Sequence, residues 1–366
     1  MIYLDYNATG PMLPEVLNAM CPFFCEQWAN PSSPYAFAKQ ASDAIEIARS
    51  HVASLIGAKP NEIVFSSCAT ESNQTVLHGV RGKVATSTVE HSSIIDFLKE
   101  RDNTCFVPVD GAGRLDLEAL DFSLTQQQIE LVSVIWANNE VGVISPIEQT
   151  AKICKKHGVL FHSDAVQAAG KIEVDVKTNE VDYLSLSAHK IFGPKGIGAL
   201  YVRDGAPYRP LLVGRQEKGR RGGTEAVPLI VGFGKAAELA KKDLSARMGH
   251  TKKMRDMLEN SILQQIPEAY INGDKTCRLP NTTNIGFKGI DSDTFIQFLS
   301  TQGIMAANGS ACKSSAITPS HVLTAMGRTH EESNEAIRFS LSHLTQENDI
   351  CSAVSILKTL AESLRG

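Results

Sequence analysis

Leu131-Val132-Ser133-Val134-Ile135-Trp136 is followed by a helical stretch, Ile147 to His157, and then by Val159-Leu160-Phe161-His162. The flanking runs are short, apolar and rich in β-branched residues. The stretch between them repeats its apolar positions at a helical period. Strand, crossover helix and strand in this order predict two parallel strands with a helix packed on their face. The pattern extends outward in both directions. Upstream lie Ile63-Val64-Phe65-Ser66, Val84-Ala85-Thr86-Ser87 and Cys105-Phe106-Val107-Pro108-Val109, preceded by a helical Ala36 to Ile56. Downstream lie Tyr183-Leu184-Ser185-Leu186 and Gly198-Ala199-Leu200-Tyr201-Val202. Such alternation predicts an α/β fold with a mainly parallel, seven-stranded sheet covered by helices.

From about Pro228 the pattern changes. A single long helix is expected over Ile230 to Gln265, dense in charged residues. Strand-like Thr283–Phe287 and Ala336–Ser340 follow, with helices around Asp293–Leu299, Ser320–Met326 and Asp349–Leu364. This predicts a smaller α+β unit. The expected division is 15–245 for a large α/β domain, and 1–14 with 246–366 for a small one.

The 366 residues carry 36 Lys+Arg and 40 Asp+Glu, a formal net charge of -4, with 43% hydrophobic residues. The apolar content excludes a disordered chain. The slightly acidic balance argues against direct nucleic-acid binding. No run approaches the ~18 apolar residues of a membrane span. Met1-Ile2-Tyr3-Leu4-Asp5-Tyr6 lacks the basic and apolar regions of a secretory signal, so a reducing cytoplasm is the expected location. The 8 cysteines are too sparse for a disulfide framework, and no Cys-x-x-Cys pair occurs. No metal site is expected from their spacing.

Three stretches carry chemistry. In Ser185-Leu186-Ser187-Ala188-His189-Lys190-Ile191-Phe192-Gly193-Pro194-Lys195-Gly196 a lysine stands just past a strand end among small and hydroxyl residues. Its amine can form a Schiff base with a carbonyl, and Ser187 and His189 can hydrogen-bond a phosphate. Taken alone, the lysine also reads as an ordinary loop residue. In Phe161-His162-Ser163-Asp164-Ala165-Val166-Gln167 a carboxylate ends a strand, where ligands bind in open α/β sheets. A helix N-cap would look the same. Ser66-Ser67-Cys68-Ala69-Thr70-Glu71-Ser72-Asn73 joins a strand to a helix whose N-terminus favours an anion, as would a plain capping loop.

With Tyr3–Thr9, Asn30-Pro31-Ser32-Ser33, Glu90-His91, Asn138-Asn139-Glu140-Val141-Gly142, Arg221-Gly222-Gly223-Thr224-Glu225, Gly309-Ser310-Ala311-Cys312 and Ile337-Arg338-Phe339-Ser340, these stretches span nearly the whole chain. In this order they resemble the cysteine desulfurases of the class V aminotransferase family. The resemblance implies a fold-type I pyridoxal-phosphate-dependent transferase, converting L-cysteine to L-alanine with transfer of the sulfur to an enzyme cysteine. It implies that Lys190 is the Schiff-base lysine, Asp164 the partner of the pyridine nitrogen, and Gln167 the contact of the ring hydroxyl. His91 stacks on the ring and shuttles protons. Ala69, Thr70, Ser187 and His189 form the phosphate site. Thr224 reaches the phosphate of the other subunit, which makes a homodimer. Asn139 and Arg338 hold the substrate, with Arg338 on its carboxylate, a match for the planar guanidinium fork.

Cys312 matches the sulfur-accepting cysteine, and Gly309-Ser310-Ala311-Cys312 resembles the group that carries it on a long loop. Its surroundings, Ala307 to Ser315, are small and polar, and Lys313 can favour the thiolate. A sulfur-acceptor protein is the implied partner. The sequence departs from the family at Thr9-Gly10-Pro11, at Ala306-Ala307-Asn308 and at Lys313, away from the central chemistry. Two other readings stand beside this one. A selenocysteine lyase or related β-lyase would use the same site. A sulfur-carrier scaffold would be active only in a complex.

Overall fold

The computed structural model describes residues 1–309 and 319–365. Twelve strands are described: β1 (Ile2–Tyr3), β2 (Ile63–Ser66), β3 (Lys83–Ser87), β4 (Thr104–Val107), β5 (Ile129–Ser133), β6 (Leu160–Asp164), β7 (Tyr183–Ser187), β8 (Gly198–Val202), β9 (Ala269–Asn272), β10 (Thr282–Phe287), β11 (Ile304–Met305) and β12 (Ala336–Ser340). Seven form one sheet in the order β2-β8-β7-β6-β5-β3-β4. All its neighbours pair in parallel except β8, which is antiparallel to both β2 and β7. The C-terminal ends of β2, β3, β5, β6 and β7 therefore share one edge, the side on which open α/β sheets bind ligands.

The seven predicted strands are all present, with shifted ends. The run predicted to continue to Trp136 leaves the regular ladder after Ser133. Val134 and Trp136 still donate their backbone N–H groups to the carbonyls of His162 and Asp164, at 3.1 and 2.9 Å. The chain is thus held against β6 up to the ligand edge.

One face of the sheet packs on the helices Ala36–Leu55 and Val227–Lys242. These approach closely at Ala48 and Gly234: a Cβ on Gly234 would lie 2.4 Å from the Ala48 Cα. Only the smallest side chain fits there, and close packing makes any addition felt. The expected single helix from Ile230 to Gln265 is two, Val227–Lys242 and Leu244–Gln265. Asp243 stands at the break, a poor helix former. Lys241 and Lys242 suit the negative end of the first helix, and Arg247 pairs with Asp243 at the start of the second.

A three-stranded antiparallel sheet, β12-β10-β9, forms with its helices a second apolar cluster around Phe287, Phe295 and Phe339. β9 was not expected from the sequence; its Tyr270 ring covers Gly286 of β10 in the space a Cβ would take. The N-terminus joins this part of the molecule, because β1 pairs in parallel with β11 and Asp5 bridges to Ser340. From there Tyr6–Gly10 runs back to the ligand edge of the large sheet, where Gly10 N–H meets the His189 carbonyl at 3.3 Å. A Cβ at Gly10 would lie 2.9 Å from the Phe192 ring, so the departure at Thr9-Gly10-Pro11 fits the local packing.

Candidate active site

Five strand ends and the N-terminal segment enclose a cavity of about 230 Å³. Among its walls are Cys68, Ala69, Thr70, Asn73, His91, Asn139, Asp164, Gln167, Ser187, His189 and Lys190. Nine of the predicted site residues thus meet in one place: Ala69, Thr70, His91, Asn139, Asp164, Gln167, Ser187, His189 and Lys190.

One end of the cavity is a cup. After β2 the chain turns at Cys68 into the helix Ala69–Gly79, which has no side-chain cap on its first N–H groups. β8 passes directly beneath: a Cβ on Gly198 would fall 2.7 Å from the Cys68 carbonyl carbon and 2.9 Å from the Ala69 nitrogen. Glycine at 198 is what lets the turn sit this low on the sheet. Ser187 and His189 supply further hydrogen-bonding groups to the same end. Burial, aided by the charges of Lys190, Lys195 and Lys171, pushes the His189 imidazole down to about 4. It is therefore neutral at physiological pH, and its Nδ1 shares a hydrogen bond with the Thr9 hydroxyl at 3.1 Å.

Asp164 stands deeper, at the end of β6 and 4% exposed. Its carboxylate accepts from Asn73 Nδ2 at 2.8 Å and from the Val166 N–H at 3.0 Å. Asn73 also donates to Ser93, while its Oδ1 is buried without a partner. His91 caps the helix Ser92–Lys99. Its Nδ1 accepts the Ser93 N–H at 3.1 Å, which leaves the ring proton on Nε2. Burial, and next the charge of Lys190, hold its pKa below the ordinary histidine value against the opposing pull of Asp164. Beneath it, Glu90 is wholly buried. Its Oε1 accepts from Ser87 Oγ at 2.5 Å and from Ile135 N–H at 2.9 Å, while Oε2 has no partner. Burial pushes Glu90 up to about 8.

Lys190 lies on a single helical turn, Ala188–Ile191, which ends at Phe192 in a left-handed conformation (φ 68°). Gly193 follows because a Cβ there would meet the Ala188 carbonyl oxygen at 2.9 Å. The Lys190 amine donates to the Asn7 and Ala8 carbonyls at 2.5 and 2.7 Å. Gln167 Nε2 donates to the same Asn7 carbonyl at 2.9 Å. The side chain of Asn7 reaches Asn139, Thr282, Asn281 and Lys171. Asn7 thereby ties the N-terminal strand to both sheets.

Arg338, on β12, lies beside this cavity rather than in its wall. Its Nη1 donates to the Asn139 carbonyl at 3.0 Å and its Nη2 to Asp5 at 2.6 Å. Its Nε is buried without a partner, a donor left for a carboxylate. Thr224 is exposed and does not line the cavity of its own chain. Cys312 lies outside the described residues. Gly309 and Ser320 are described. Ser320 Oγ donates to Glu140 Oε2 at 2.5 Å, and Gly309 sits so close to that carboxylate that a Cβ would overlap it. Nothing local in the sequence gives Asn7, Asn73, Glu90, Glu140 or Lys171 a role. Asn7, Asn73, Glu90 and Glu140 lie within the motifs above, and Lys171 just beyond one.

The donor-rich cup, the buried carboxylate and the amine surround a space suited to a planar ring. The ring would carry an anionic group at one end and a basic nitrogen at the other. Asn73 Oδ1, orphaned at the Asp164 end, fits a site completed by such a group. These features define an α/β enzyme that acts through a carbonyl cofactor. The chain matches the Aminotransferase class-V family over residues 2–352. It is 44% identical to the cysteine desulfurase of Trichormus azollae over 376 residues, covering 100% of this chain and 94% of the relative. A solved NifS-like protein superposes with a TM-score of 0.92 at 36% identity, covering 99% of each chain. The structure described as SspA in complex with cysteine superposes at 0.82 and 33% identity, over 93% of this chain and 99% of that one. The chain belongs to the aminotransferase class-V family and, within it, to the cysteine desulfurases. Enzymes of this family depend on pyridoxal phosphate.

Proposed function

We propose that this chain binds pyridoxal phosphate in the 230 Å³ cavity and converts L-cysteine to L-alanine, passing the sulfur to Cys312 and then to an acceptor protein. The observation that carries this reading is the convergence of Lys190, Asp164, His91, Gln167 and the cup residues on one cavity. Ala69, Thr70, Ser187 and His189 hold the phosphate, Asp164 faces the ring nitrogen, Gln167 the ring oxygen, and His91 the ring face. Lys190 makes the covalent attachment. When bound, the cofactor supplies an electron sink that weakens the Cα–H and Cβ–S bonds of the substrate.

Arg338 receives the substrate carboxylate on its unpartnered Nε, and Asn139, which accepts from Nη1, fixes the guanidinium beside the cavity. Lys190 Nζ, released from its attachment, takes the Cα proton. His91, with its proton on Nε2, assists its return. The Cys312 thiolate attacks the substrate sulfur. An S–S bond forms, the Cβ–S bond breaks, and its electron pair stays on Cβ and is protonated, so alanine leaves. A thiol of the acceptor then attacks the outer sulfur, and Cys312 departs as thiolate.

Residues 15–245 serve as the cofactor-holding unit. Residues 1–14 and 246–366 bring Asp5 and Arg338 to it and include Cys312. The exposure of Thr224 supports a homodimer in which it reaches the partner's phosphate. Among the described residues no helix is long and apolar enough to cross a membrane, and a cytoplasmic location fits a thiol that must stay free.

The test uses the purified, cofactor-loaded protein. Cys312→Ser is expected to keep the visible cofactor band and to form no persulfide, whereas Lys190→Ala is expected to lose the normal band. Full turnover of cysteine by Cys312→Ser would sink the assignment. A preference for selenocysteine over cysteine would move it to the lyase reading. Turnover that appears only on adding a partner would favour the scaffold reading.

A further inference from the structure

Lys171 stands four residues after Gln167, and nothing in the reaction above uses it. Gly170 makes the preceding turn, with φ +74° and a Cβ position 2.6 Å from the Ile191 side chain. A larger residue could not bring the chain this close to the turn that carries Lys190. The Lys171 amine points inward. It donates to Asn7 Oδ1 at 2.9 Å and to Gln167 Oε1, both neutral oxygens. Asn7 thus holds two amines, Lys190 on its carbonyl and Lys171 on its side chain.

An amine on Oε1 decides which way the Gln167 carboxamide faces. Its oxygen is taken, and its nitrogen donates one hydrogen to the Asn7 carbonyl. The second N–H remains, and Gln167 lines the cavity. We propose that Lys171 is a positioning residue that locks the Gln167 carboxamide with its NH2 group toward the cavity, so that the site offers a donor, not an acceptor, to the cofactor's ring oxygen. The inference rests on the proposed function. Two N–H bonds suffice for the lock, so it holds whether or not the amine is charged. Burial, and next the charges of Lys190 and Arg338, hold the Lys171 amine well below the ordinary lysine range. Among the described residues, His91, Asp164 and His189 share the cavity with Lys190, and Tyr6, Arg247 and His343 line a smaller pocket with both amines.

A donor to the ring oxygen favours its ionised form. The test strips the full-length protein of cofactor and reloads it with pyridoxal phosphate, for wild type, Lys171→Met, Gln167→Leu and the double variant. Lys171→Met is expected to weaken cofactor affinity about tenfold and to raise the pH midpoint of the visible band by about one unit, the loss of one hydrogen bond to a charged group. In the Gln167→Leu background the same substitution is expected to add little, because it acts through Gln167. Lys171→Gln keeps a donor and is expected to lie between wild type and Lys171→Met; it carries the test if the methionine variant does not fold. Wild-type affinity and midpoint in the position-171 variants overturn the inference, as does an equal loss with and without Gln167. If wild type itself takes up no pyridoxal phosphate, the proposed function fails and this inference with it. Loading by wild type with no effect at position 171 sinks the inference alone.

Discussion

Replacing Glu90 by Gln should make the protein more stable in mildly alkaline solution. Glu90 is wholly buried beneath His91, and burial raises its pKa from 4.5 to about 8. The bonds from Ser87 and the Ile135 N–H oppose this shift without cancelling it, and the charge of Asp164 adds to it. The folded protein thus binds a proton here that the unfolded chain has lost. Stability must fall as pH rises between 4.5 and about 8, by up to about 1.4 kcal/mol for each pH unit. The full contribution is present below the unfolded value and is lost as pH rises toward the folded one. Glutamine keeps the oxygen that accepts from Ser87 and Ile135 and has no charge to lose. Urea unfolding of cofactor-free protein at several pH values between about 5 and about 8 reads the difference. The wild-type midpoint should drop with pH more steeply than that of Glu90→Gln, with the gap widening to a few kcal/mol near pH 8. Parallel curves for the two proteins would refute the claim that Glu90 is buried as a neutral acid.

Gly198→Ala is expected to lift the Cys68–Ala69 turn off the sheet, since its Cβ would meet three backbone atoms within 2.9 Å. Overpacking of this kind costs about 1–3 kcal/mol, and pyridoxal phosphate affinity measured by fluorescence titration should fall more than thermal stability. Asp5→Asn removes the charged partner of Arg338 Nη2 and should raise KM for L-cysteine about tenfold, near the lower value of a charge-assisted bond, with the visible cofactor band unchanged. Ala48→Leu should destabilise the fold by about 1–3 kcal/mol with little change in cofactor affinity, because the Ala48–Gly234 contact lies between helices away from the cup.

Much of the large sheet was legible because its signals are local. Seven β-branched runs separated by helical periods become seven strands, and Asp164 and Ser187 fall at strand ends as their positions predicted. The cup was legible as a strand–helix turn. The helix break at Asp243 was not, since residues that favour a helix continue on both sides of it and a single polar residue decides the matter together with Arg247. β9 was missed because its four residues are read correctly only once Gly286 is seen under Tyr270. What local signals lack is the approach of Arg338, on β12 of the smaller sheet, to Asn139 in the wall of a cavity built by the large one.

What no local signal conveys is the hydrogen-bonded centre of the site. Asn7 binds Gln167, Lys171, Lys190, Asn281, Thr282 and Ser340, each at least 160 positions away along the chain. An asparagine near an N-terminus carries no periodicity and no charge. Its importance comes from supplying a carbonyl, an amide oxygen and an amide N–H where two sheets meet. The short pair β1–β11 makes this possible, because it fixes the direction in which residues 4–10 leave the smaller sheet. The same geometry puts Asp5 on Arg338 and Gly10 on the Lys190 turn. Arg338 and the Lys190 amine are therefore held by one strand of backbone. A shift of this segment must move both together, and so Asp5→Asn and Lys171→Met, which act at its two sides, should not be energetically independent.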